Sequence, residues 1–312
     1  MPERPGFLNI DDYLAYPRAP STWIIQDLLP VSGKALLYSA PKTGKSALAL
    51  QLADNIAEGG EWMTFPIVSP GRVLYFQLDN PGTTWSKRVR VLRNNGLCLD
   101  NNKVFMADAS TIPMNPFDIL QPGHRDYLQS IVRPLAPQLV IVDTLRKVHS
   151  GDENSSTVMS NVMTNLYSAV FPAALLVVSH DKKPSPDMEK DIIYDHRGSG
   201  GVVGEVDCIL RMTKTRLYYA GRDVEADNIK LKKHVLYDGD ERTILWEPDP
   251  DEYMKEIAIV IADHALASVR SKARALADMT GKSFDTMHGR LRSYLRRANL
   301  VLPEDGPQEA VQ

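Results

Sequence analysis

Eight consecutive residues carry chemistry that can be named at once: Ser39, Ala40, Pro41, Lys42, Thr43, Gly44, Lys45 and Ser46. They follow an apolar run, Ala35 to Tyr38, and precede a helix-like run, Ala47 to Ala53. A loop between a strand and a helix can wrap phosphates in successive backbone N–H groups. The helix N-terminus adds its positive dipole end, and a lysine adds a point charge. The run fits the phosphate-loop pattern G-x-x-x-x-G-K-[ST] except at its first position, where Ser39 replaces glycine. The implied ligand is a nucleoside triphosphate, ATP, with Mg²⁺ held by the Ser46 hydroxyl.

Such a loop needs a carboxylate for the metal at the end of a neighbouring apolar strand. Asp143 ends Leu139-Val-Ile-Val-Asp143, 98 residues after Lys45, and would hold Mg²⁺ through water opposite Ser46. The alternative is an aspartate that caps a turn. Hydrolysis also needs a group that orients or deprotonates water. Asp79 follows the run Arg72 to Leu78 and is the candidate general base, against a solvated turn acid as the alternative. Ser179 and His180 end the run Ala174 to Val178. His180 there is a candidate sensor of the γ-phosphate, or a capping histidine.

These residues must be positioned by strands and helices that alternate. Strands are expected at 34–38, 72–78, 103–106, 138–142 and 174–178, and helices at 44–58, 83–95, 122–135 and 156–170. Nearly continuous apolar strands alternating with helices predict an α/β fold around a mostly parallel sheet buried on both faces. After residue 207, Cys208 to Met212, Leu217 to Ala220, Asn228 to Lys232 and Thr243 to Trp246 read as antiparallel strands completing that sheet. Four regions are expected: an extended N-terminal arm at 1–21, the ATPase core at 22–248, a small helical domain at 252–303 and a flexible tail at 304–312.

The 312 residues exceed one small domain, and the net charge of −3 means that any nucleic-acid contact comes from local basic patches. Cys98 and Cys208 lack metal-ligand spacing, which fits a reducing cytoplasm. No apolar run is long enough to span a membrane, and the first residues lack a signal-peptide layout.

Five segments give the chain a resemblance. They are Trp23 to Pro30; Ser39 to Ser46; Leu74 to Pro81; Val142 to Asn154, which contains Asp-Thr-Leu-Arg followed by Gly-Asp-Glu-Asn; and Arg197 to Asp207. Over about residues 22–247 the chain resembles the RecA-like hexameric ATPases of the RepA replicative-helicase type. The resemblance implies a RecA-like P-loop core, ATP bound between subunits, and a homo-oligomeric ring, a hexamer, around single-stranded DNA. It places Lys45, Ser46 and Asp143 at the nucleotide and metal positions, Asp79 where the family has a catalytic glutamate, and His180 at the sensor histidine. Ser39 for glycine and Asp79 for glutamate are departures, and the shorter carboxylate would slow turnover. The family also uses an arginine finger from a neighbouring subunit. Lys214, Arg216 and Arg222 are the candidates here, Arg222 first.

Nucleic-acid contacts are expected in two places. Lys182, Lys183 and Arg197 fall in the long segment 181–200, which in RecA-like proteins lines the channel. Residues 268–297 hold eight Lys or Arg against Asp278 and Asp285. There a winged helix–turn–helix is expected, Arg270–Met279 followed by Ser283–Ala298, with Arg290, Arg292 and Arg296 toward duplex DNA. The function expected is a DNA-dependent ATPase, a ring helicase or translocase in replication or recombination. The alternative is a non-motor DNA-binding regulator or loader that uses ATP as a switch. A small-molecule kinase suits neither the intervening segments nor the basic tail.

Overall fold

The computed structural model describes residues 8–16, 22–180, 201–222, 224, 226–249, 269–280 and 291. Two sheets form. The small one contains β1 (Trp23–Ile25), β2 (Leu29–Pro30), β4 (Gly60–Trp62) and β5 (Phe65–Ile67), in the order β2-β1-β5-β4. The large one contains β3 (Lys34–Ser39), β6 (Val73–Gln77), β7 (Val104–Asp108), β8 (Leu139–Asp143), β9 (Ala174–His180), β10 (Cys208–Met212), β11 (Arg216–Gly221), β12 (Asp227–Asp238) and β13 (Glu241–Pro248). Its order is β13-β12-β11-β10-β3-β9-β8-β6-β7. From β10 to β7 every pairing is parallel, and β10 to β13 is an antiparallel meander.

The strands alternate their apolar side chains between two cores, as a pleated strand must. Ala35, Leu37, Tyr75, Ile141, Leu176 and Val178 face one core, which packs α2 (Lys45–Glu58) and α3 (Gly82–Asn94). Leu36, Tyr38, Phe76, Val140, Val142, Leu175 and Val177 face the other, under α4 (Pro122–Leu135) and α5 (Ser156–Val170). Burial on both faces is why these strands read as unbroken apolar runs. Local signals set the helix starts. Ser155 caps α5 by accepting from the Val158 amide, and Pro122 occupies the first turn of α4.

The parallel strands end together at one edge. Ser39 is level with His180, Asp143 with Val178, and Gln77 with Asp143. β9 therefore lies between the phosphate-loop strand and the Asp143 strand. The β12–β13 hairpin comes back over α2 and α3. The Gln51 side chain on α2 donates to the Trp246 carbonyl and accepts from the Trp246 amide, both at 2.9 Å. From α3, Lys87 pairs with Glu241, Asn94 donates to Asp238 at 2.9 Å, and Asn95, just past the helix, donates to the Tyr237 carbonyl at 3.1 Å.

One expectation needs correction. Within the segment expected to be an extended arm, residues 10–15 form a short helix, α1 (Ile10–Ala15), because Asn9 caps it by accepting from the Asp12 amide. A short α6 (Gly201–Gly204) precedes β10, and α7 (Val269–Thr280) matches the first helix expected in the C-terminal region. The rest of the expected helix–turn–helix, with Arg290, Arg292 and Arg296, lies outside the described residues, as do Lys182, Lys183 and Arg197. No helix among the described residues is long and apolar enough to cross a membrane.

Candidate nucleotide-binding and catalytic site

Ser39 is the last residue of β3, fully buried, and its hydroxyl donates to the Ala40 carbonyl at 3.0 Å. It belongs to the strand and is absent from the left-handed set, so a serine here carries no backbone penalty. The loop turns instead at Lys42 (φ 62°) and Gly44 (φ 106°). Thr43 donates to the Ala40 carbonyl at 2.7 Å and closes the loop on itself. Gly44 then caps α2.

Lys45 opens α2 and is buried, 6 % exposed. Its ammonium reaches the Ser39 and Ala40 carbonyls at 3.4 and 3.5 Å and the His180 Nδ1 at 3.2 Å. Since Lys45 donates, the His180 Nδ1 accepts, which places the imidazole proton on Nε2. Asp143 is 2 % exposed, and burial pushes its carboxyl above the ordinary carboxylate range. Three neighbours act against that rise: the Ser46 hydroxyl, the Tyr75 hydroxyl and the Lys45 charge. The Tyr75 hydroxyl donates to Asp143 Oδ2 at 2.8 Å and lies 3.3 Å from the Ser46 carbonyl.

These groups open onto one cavity of about 610 Å³. Lys45, Ser46, Asp79, Asp143 and His180 form its polar end. Leu50, Trp85, Leu92, Val235 and Ile244 give it an apolar wall, and Arg88, Lys233 and Arg242 add positive charge. Arg88 also donates to the Asn80 side chain at 3.2 Å, steadying the turn that carries Asp79. The apolar wall belongs partly to the hairpin, and the contact with the loop is close. A Cβ on Gly44 would lie 2.9 Å from Trp246 Nε1.

The donor set fits ATP and Mg²⁺. A hydroxyl and a carboxylate, both oxygen ligands, converge where hard cations are held. A buried ammonium faces the loop carbonyls and an imidazole, a position that a phosphate oxygen would satisfy better.

The sequence brought Lys45, Ser46, Asp79, Asp143 and His180 to this place, and the structure assembles them. Arg222 is elsewhere. β11 runs antiparallel to β10, so its exit faces the entry end of β3, with Cys208 level with both Gly221 and Ala35. That is about 17 Å along the sheet from Ser39 at ~3.3 Å per residue. There Arg222 pairs with Asp207 at 2.9 Å. Lys214 and Arg216 sit at the β10–β11 turn, at the same edge as the phosphate loop, since Met212 is level with Ser39. The preferred finger candidate is therefore corrected from Arg222 to these two. Sequence reading missed Tyr75, Trp85, Arg88, Lys233 and Arg242. Tyr75 could have been found as a hydroxyl in an otherwise hydrocarbon strand.

With the loop, the metal ligands and the strand order in place, the family can be stated. Residues 2–186, more than half of the chain, match the family model AAA_25, described as an AAA domain. The chain belongs to the AAA domain family. The matched segment ends just after β9, so the hairpin wall of the cavity lies outside it. Among solved structures, the chain is similar to the ATPase domain of a helicase, with 14% identity over 64% of this chain and 81% of that one, at a TM-score of 0.47. It is also similar to a KaiC-like protein from the hyperthermophilic archaeon Pyrococcus horikoshii OT3. There the identity is 12% over 73% of this chain and 99% of that one, and the TM-score is 0.45. The fold stands on the strand order and the loop chemistry, not on either likeness. It is a RecA-like P-loop α/β fold of an ATPase family.

Proposed function

We propose that the chain is an ATP-hydrolysing motor that forms a ring, a hexamer, on single-stranded DNA and acts as a helicase or translocase. The observation that supports the hydrolysis most strongly is the convergence of Lys45, Ser46, Asp79, Asp143 and His180 on one cavity. The loop amides and Lys45 bind the phosphates. The apolar wall of Leu50, Trp85, Leu92 and Ile244 takes the nucleoside and excludes water from that side. Mg²⁺, held by Ser46 and through water by Asp143, neutralises charge on the β- and γ-phosphates. Asp79, at the cavity edge, holds the attacking water and takes its proton. Lys214 or Arg216 of a neighbouring copy supplies the charge that the transition state needs.

DNA in the ring would be contacted by Lys182, Lys183 and Arg197, and duplex DNA by Arg290, Arg292 and Arg296. The experiment is ATP turnover with and without single-stranded DNA, beside negative-stain imaging with a non-hydrolysable ATP analogue. Stimulation by DNA and ring particles are expected, both lost in Lys45→Ala. ATP binding with neither stimulation nor rings would refute the motor. A second reading, a DNA-binding regulator switched by ATP, is favoured by Asp79 in place of a glutamate. It would show tight ATP binding, slow turnover and duplex binding lost on deleting 252–312.

A further inference from the structure

We infer that Tyr75 is a positioning residue that fixes the Asp143 carboxylate for the metal, an inference that rests on the ATP and Mg²⁺ reading of the site. Tyr75 lies in the middle of β6 and is completely buried. Packing alone would be satisfied by phenylalanine, as it is next door at Phe76. The hydroxyl is there for polar work. It has two neighbours, Asp143 Oδ2 at 2.8 Å and the Ser46 carbonyl at 3.3 Å. One atom thus touches both halves of the site, the first turn of the phosphate-loop helix and the end of the metal strand.

The heading of that hydroxyl is fixed from behind. The Tyr75 ring lies against Trp85, 5.2 Å between centroids at 35°. Trp85 is itself buried and lines the cavity. A carboxylate rotates about its Cβ–Cγ bond unless both edges are held. Tyr75 holds the Oδ2 edge and Ser46 donates a further bond. The carboxylate therefore meets the metal's water shell in one orientation, without a reorganisation step at binding. Ser46 and Tyr75 are complementary in this. Ser46 meets the metal itself, and Tyr75 keeps the acid facing it.

The test follows the release of a fluorescent ATP analogue, in EDTA and across a Mg²⁺ titration, for the wild type and Tyr75→Phe. A purely structural tyrosine would move the melting temperature or the affinity in EDTA. A positioning tyrosine leaves the affinity in EDTA within about twofold. It raises the Mg²⁺ concentration needed for half-maximal retention by about tenfold, the worth of one hydrogen bond to a charged group. An unchanged Mg²⁺ requirement in folded Tyr75→Phe overturns the inference. Should Tyr75→Phe not fold, 3-fluorotyrosine at position 75 keeps the ring and strengthens the donor. It must lower the Mg²⁺ requirement, and no shift overturns the inference. A wild type whose nucleotide retention ignores Mg²⁺ overturns the ATPase reading itself, which is a separate outcome.

Discussion

The hairpin β12–β13 stays over the phosphate loop chiefly because Gln51 reads its backbone, and replacing Gln51 by leucine tests this directly. Trp246 sits on the last strand of the sheet, so the outward N–H and C=O of its backbone have no further strand to pair with. The Gln51 amide stands in for one, with two bonds of 2.9 Å, and is itself only 8 % exposed. Leucine keeps the volume and leaves both backbone groups buried without partners. Each orphaned group costs about 1–3 kcal/mol, so the substitution should cost roughly 2–6 kcal/mol. Helix propensity does not offset this, since leucine and glutamine are nearly equal there. Urea unfolding should show the loss at unchanged slope, and hydrogen exchange should show the Trp246 amide losing protection before the amides of β3 and β9. Nucleotide affinity should fall as well, because Val235, Arg242, Thr243 and Ile244 leave the cavity wall with the hairpin. A cost below about 1 kcal/mol with Trp246 protection intact would refute the reasoning.

Three further predictions concern the loop and its surroundings. Asp79→Asn should slow turnover by about 10²–10⁴-fold and spare ATP binding, measured by steady-state hydrolysis and equilibrium titration. Gly44→Ala should destabilise by about 2–5 kcal/mol, the sum of a left-handed alanine and a clash with the Trp246 indole, and Trp246→Phe should recover part of the loss in thermal melts. Burial holds the His149 imidazole below its ordinary value of 6.5, so the folded chain resists a proton that the unfolded chain accepts. Stability should be full above pH 6.5 and fall as the pH drops below it through the folded value, and His149→Gln should flatten that decline in chemical denaturation at stepped pH.

The parallel half of the sheet was legible because burial on both faces leaves a mark on the sequence, an apolar run closed by a polar residue. That mark located Ser39, Asp79, Asp143 and His180 along with the strands. The antiparallel half was legible as strands but not as geometry. Chain reversal sends the exit of β11 to the far edge, and this carried Arg222 away from the site. Lys233 and Arg242 were hidden for a related reason. Nothing local in β12 or β13 says that the hairpin curls back to α2 and α3. The small sheet was missed because three-residue strands such as Phe65-Pro-Ile67 leave too short a pattern to read. Tyr75 reads as one more core aromatic until strand order sets β6 beside β8.

The place of β9 bears on how the protein is made. Synthesis delivers the phosphate loop and then the Asp143 strand, yet the two strands are separated by the width of another, about 10 Å from one to the other. Until residues 174–180 leave the ribosome and slide between them, a nascent chain holds both motifs but no assembled site. His180, the acceptor for Lys45, arrives as the last residue of that same insertion. Nucleotide binding is thus a late event in biogenesis. A fragment ending at residue 173 should be nucleotide-blind despite its complete motifs.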